Sequence, residues 1–86
     1  MNESMIILTM WNDYHDFAIK AFDDDTSLKE TWELFSAMDA IQDLASVYGF
    51  HFDVDANGKP FWNYGNNIHC SSKDIIESIL SKQIKS

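Results

Sequence analysis

Arginine is missing from this 86-residue sequence, and six lysines face fourteen aspartates and glutamates, a formal net charge of −8. A surface so short of cations repels nucleic acid and anionic lipid, since both are held by basic side chains. Cysteine occurs once, at Cys70, which excludes an internal disulfide framework and fits a reducing compartment. Long hydrophobic runs are lacking. No stretch approaches the ~18 apolar residues of a membrane span, and the opening MNESMIILTMW has no basic n-region of a secretory signal. The expected setting is cytoplasmic. Linkers, internal repeats and low-complexity segments are absent too, so residues 1–86 read as a single small acidic domain. Its apolar and aromatic content is ordinary for a folded protein, which argues against disorder despite the charge.

The most informative stretch is SLKETWELFSAMDAIQDLASVY, residues 27–48, which neither proline nor glycine interrupts. Leu34, Met38, Ile41, Ala45 and Tyr48 follow at three- and four-residue steps, with Leu44 beside them, and form the core-facing stripe of a helix. Leu28, Trp32 and Phe35 are read as widening that stripe. Ser27 with Glu30 makes a capping box, and Glu30 and Glu33 suit the positive end of the helix dipole. Ser36, Asp39, Asp43 and Ser46 fall on a ridge facing water. Gly49 suits the left-handed residue that ends a helix.

Around this helix the pattern predicts strands. MIILTMW at 5–11 is β-branched and apolar. Asn12, Asp13 and Asp16 mark a turn, and FAIKAF at 17–22 alternates weakly, completing a hairpin. Tyr14, Phe17, Ala18, Ala21 and Phe22 also fit helical spacing. However, Asp23, Asp24 and Asp25 would then crowd a helix C-terminus, where the dipole disfavours acids. After the helix, Phe50, Phe52 and Val54 alternate with His51 and Asp53, Asn57-Gly58 signals a tight turn, and Phe61 to Tyr64 returns. A two-residue turn pairs Val54 with Phe61 and Asp53 with Trp62; a longer loop over 55–59 shifts that register. Pro60 points to an edge strand. Ser71 caps a last helix with Ile75, Ile76, Ile79 and Leu80 on its buried face. The expected fold class is α+β: two layers, an antiparallel sheet of about four strands with two helices on one face, in the order ββαββα.

The chemistry-bearing motifs are weak. Asp53, Asp55 and Asn57-Gly58 match the first half of an EF-hand loop, but the twelfth position, which needs a bidentate glutamate, is Tyr64. His51, Asp53, His69 and Cys70 lack zinc-ligand spacing, and Cys70 lacks an activating context. No catalytic residue, metal or cofactor is expected. Charge is the stronger signal. Residues 1–57 carry −10 and residues 58–86 carry +2. The acids Asp23, Asp24, Asp25, Glu30, Glu33, Asp39 and Asp43 read as an anionic face that mimics phosphates for a basic groove. In the unshifted hairpin Trp62 and Tyr64 lie opposite the core and read as its interface anchors. The expected function is therefore not enzymatic. It is a small acidic inhibitor that binds a basic nucleic-acid-processing enzyme and blocks its substrate groove, of the phage anti-CRISPR or anti-restriction type. An immunity protein or antitoxin against a nuclease toxin uses the same physics. The reading from another class is a small metal-binding or enzymatic module around His51, Asp53, Asp55 and His69. A homodimer through the second hairpin stays open.

Overall fold

Ile7, Trp11, Tyr14, Ala18 and Ala21 recur at steps of four and three residues, and all five are buried along one side of a helix, α1 (Glu3–Ala21). This overturns the expected hairpin over residues 5–11 and 17–22. The β-branched residues at 6–9 favour strand only weakly, and a helical stripe that buries two large aromatics outweighs them. The objection from the dipole also disappears. α1 ends at Ala21, with Lys20 in its last turn, and Asp23 to Asp25 lie past it, on the approach to the next helix.

The structure, a computed structural model, describes residues 3–65, 67–69, 74, 75 and 77. The second helix, α2 (Leu28–Val47), is the one that residues 27–48 predict. The Ser27 hydroxyl accepts the Glu30 N–H at 3.2 Å. The other half of the capping box is replaced: the Glu30 carboxylate crosses to α1 and pairs with Lys20 Nζ at 2.7 Å. Gly49 ends the helix at φ 86°, its N–H donating to the Ser46 carbonyl.

Three strands follow: β1 (Phe50–Val54), β2 (Pro60–Tyr64) and β3 (Asn67–His69), antiparallel and in the order β1-β2-β3. The chain is thus a small α+β domain running ααβββ among the described residues, not a four-stranded ββαββα sheet. β2 is central, not an edge. Pro60 is tolerated there as the first residue of its strand, since β3 pairs only with residues 62–64. The expected last helix lies outside the described residues except for Asp74, Ile75 and Glu77, which are helical, with Ile75 fully buried. Among the described residues no helix is long and apolar enough to cross a membrane.

The hairpin takes the longer loop. Val54 pairs with Pro60, Phe52 with Trp62 and Phe50 with Tyr64. The Asp55 carboxylate accepts the N–H groups of Asn57 and Lys59, both at 2.9 Å, and closes the loop. Because side chains alternate with period two, this one-residue shift turns Trp62 and Tyr64 onto the face of Phe50 and Phe52. The core forms there. Trp11 and Tyr14 lie on Phe52 at ring-centroid separations of 5.3 and 5.4 Å, and Phe50 contacts Trp62 at 5.4 Å and Tyr64 at 4.4 Å. α2 reaches the same strand through Gln42, whose Oε1 accepts the Phe52 N–H and whose Nε2 lies 2.9 Å from His51 Nδ1.

The loop tip is held from outside. Gly58 has φ 79°, and a Cβ there would come within 2.9 Å of Phe22 Cγ. Gly58→Ala is expected to cost about 1–3 kcal/mol in chemical denaturation, from left-handed backbone strain together with the clash. In a Phe22→Ala background the same substitution should cost measurably less, because only the backbone term remains.

Candidate functional site

The turn between the helices gives the aspartates their positions. Thr26 Oγ1 donates to the Lys20 carbonyl at 2.6 Å, and the Thr26 N–H donates to the Asp23 carbonyl at 3.1 Å. Asp23 Oδ1 accepts the Asp25 N–H at 2.9 Å. Asp23, Asp24 and Asp25 are all exposed. They lie just ahead of the N-terminus of α2, whose partial positive charge favours acids.

On α2 the predicted acids divide between two flanks. Glu30 and Glu33 face a groove of about 480 Å³ between the helices, also lined by Phe17, Lys20 and Leu34. Glu30 is half-buried, and its hydrogen bond and charge raise the Lys20 pKa above the ordinary value. Asp39 and Asp43 lie on the opposite, outward ridge, seven and eleven residues after Trp32, and are exposed. Asp23, Asp24, Asp25, Glu33, Asp39 and Asp43 are therefore exposed, and among the described residues none of them is paired with a lysine.

The expected aromatic anchors are misplaced. Trp62 is 0% exposed, and Tyr64 is half-buried against Phe50. The most exposed aromatic among the described residues is Trp32, at 65%, one turn from Leu28 at 74% and followed by half-buried Phe35. Phe22, at 48%, meets Phe35 edge-on at 5.6 Å. The helical wheel carries the signal for this. At 100° per residue Trp32 lies about 120° from Met38, well off the core stripe to which it was assigned.

The residues of the metal or enzymatic reading are spread apart. His51 and Asp53 are exposed on β1, with His51 Nε2 3.6 Å from Asp53 Oδ2. Asp53 Oδ1 accepts the Val54 N–H at 2.8 Å. The Asp55 carboxylate closes its own loop, His69 is in β3 with its backbone opposite Trp62, and Cys70 lies outside the described residues. Among the described residues no three His, Cys, Asp or Glu side chains converge in a way that could hold a metal ion. Among the described residues the one strongly perturbed group is Tyr14. Burial first, then the charges of Asp53 and Asp39, push its pKa from 10.0 to about 12.

Comparison with protein-family models, curated proteins and solved structures gives no match.

Two measurements check this geometry. The neutral Tyr14 phenol is favoured by the fold, so its contribution to stability is intact below the unfolded pKa of 10.0 and is lost as pH rises toward about 12. Denaturation midpoints should fall across that interval, and Tyr14→Phe should flatten the fall. Separately, Trp11 and Trp62 are both 0% exposed, so acrylamide should quench essentially the Trp32 emission alone. Trp32→Phe should leave a blue-shifted, poorly quenched spectrum.

Proposed function

We propose that this domain is a small acidic inhibitor that binds a basic nucleic-acid-processing enzyme in the cytoplasm and covers its substrate groove. The observation that carries this reading is a set of exposed acids with no lysine partner among the described residues: Asp23, Asp24 and Asp25 in the inter-helix turn, Asp39 and Asp43 on the outer ridge of α2, and Glu33 on its other flank. From Leu28 to Asp43 that ridge extends about 20 Å at 1.5 Å per residue. A nucleic-acid groove is an extended line of basic contacts, and charge spread over such a length can occupy several of them at once. A compact acidic site would hold an ion; an extended one suits a surface. The work is binding, with no chemical step assigned to this chain.

The reading is tested with Asp23→Lys, Asp24→Lys and Asp25→Lys combined. The three side chains are exposed, so the fold should survive, with the melting temperature lowered modestly by loss of the Asp23 Oδ1 bond to the Asp25 N–H and of the acids ahead of α2. The enzyme is recovered by affinity capture from a lysate of cells that naturally make the protein, then titrated by calorimetry. Affinity should drop at least about tenfold in the variant, and the wild type should weaken steeply between about 50 and about 500 mM salt. Nucleic-acid cleavage by the captured enzyme should be blocked by the wild type and restored by the variant. Affinity indifferent to both charge and salt would rule electrostatic mimicry out. Capture of a nuclease toxin, in place of a defence enzyme, would identify an immunity protein with the same mechanism.

A further inference from the structure

We infer that Leu28, Trp32 and Phe22 form the anchor of the interface, and that their occupant is a basic protein surface bearing an arginine that stacks on the Trp32 indole. This inference rests on the acidic-inhibitor reading and deepens it. Leu28 and Trp32 stand in solvent one turn apart on α2, and Phe22 in the inter-helix turn is half exposed, in a domain that buries its other two tryptophans completely. Neither Leu28 nor Trp32 belongs to the core cluster or to the partly buried shell around it, and Phe22, which packs on Gly58 and Phe35, still leaves about half of its side chain in solvent.

Leu28 and Trp32 are helical neighbours at i and i+4, and Phe35 follows three residues on. Phe35 meets the Phe22 ring, and Phe22 covers the backbone of Gly58 at the tip of the hairpin. The inter-helix turn, α2 and the hairpin tip thus meet around Phe22 and Phe35. Large exposed aromatic and aliphatic side chains are what an interface anchor uses.

Its surroundings select the occupant. Asp23 to Asp25 adjoin Phe22 in the chain, Asp39 follows Phe35 by one turn, and Asp43 lies one turn further. Lys29, the one lysine in α2, precedes Trp32 by three residues and lines the groove. An indole on a ridge that continues into exposed Asp39 and Asp43 attracts guanidinium groups through its face and through those carboxylates. A second copy of this chain would bring the same acids against itself, at −8 per copy. An anionic lipid surface or a nucleic acid would be repelled for the same reason.

The test places a photoreactive benzophenone amino acid at position 28 or 32 of the full chain, and at 44 or 47 as controls. Leu44 and Val47 are also exposed but lie more than two turns away. Lysate of cells that naturally make the protein is irradiated at low salt, and adducts are identified by mass spectrometry. The expected result is one basic protein joined through positions 28 and 32, not through 44 and 47, with the adduct lost at high salt. For that purified protein, Trp32→Ala should weaken binding at least about thirtyfold, well beyond the effect of a neutral rim contact. Its melting temperature should match the wild type. Adducts from 44 and 47 instead, adducts to a second copy, no adduct, or full affinity in Trp32→Ala would each overturn the anchor. The two readings fail separately. An intact block of nucleic-acid cleavage by Trp32→Ala removes the anchor and leaves the inhibitor. A basic adduct through position 32 that processes no nucleic acid removes the inhibitor and leaves the anchor.

Discussion

Phe52 is the residue on which the two helices and the sheet depend together. Its ring carries Trp11 and Tyr14 from α1, and its backbone N–H is taken by Gln42 from α2. Among the described residues β1 pairs only with β2, so its other edge would present unpaired amides to water or to another chain. Gln42 fills part of that edge with a side-chain amide. One residue therefore joins apolar burial to edge protection. In a domain this small, where a single core leaves little reserve, such sharing of roles is economical.

The charge of the chain has a structural counterpart. Like charges strung over a small surface oppose compaction, and the Lys20–Glu30 pair between the helices is a partly solvated contact of limited strength. Stability must come chiefly from aromatic burial, with Trp11, Phe50, Phe52 and Trp62 all at or near zero exposure. Asp55, Asp23 and Glu30 serve the fold through their hydrogen bonds and ion pair, while Asp24, Asp25, Glu33, Asp39 and Asp43 stand exposed at the surface.

Much of the second half of the fold was legible in the sequence, and little of the first. α2 announced itself through its cap, its stripe and Gly49. α1 did not, because residues 5–11 are as good a strand by composition as they are a helix by spacing. Only the buried sequence of Ile7, Trp11, Tyr14, Ala18 and Ala21 decides between them. The hairpin was legible as a hairpin, but its register turned on whether Asp55 would close the longer loop with its carboxylate, which the Asn57-Gly58 pair does not reveal. That choice moved Trp62 and Tyr64 from surface to core and so displaced the expected anchors. The acidic residues were easier to place, since charged side chains seldom leave water. Trp32 was missed because an aromatic beside a core stripe is usually part of it, although the helical wheel places it outside.

The Gln42 bridge also settles a proton. A backbone N–H can only donate, so the Phe52 amide fixes which end of the Gln42 side chain is oxygen. The nitrogen end must then donate to His51 Nδ1, and the imidazole, when neutral, carries its hydrogen on Nε2, turned toward Asp53. The tautomer of a surface histidine and the closure of the β1 edge are thus one choice, made by the orientation of a single carboxamide.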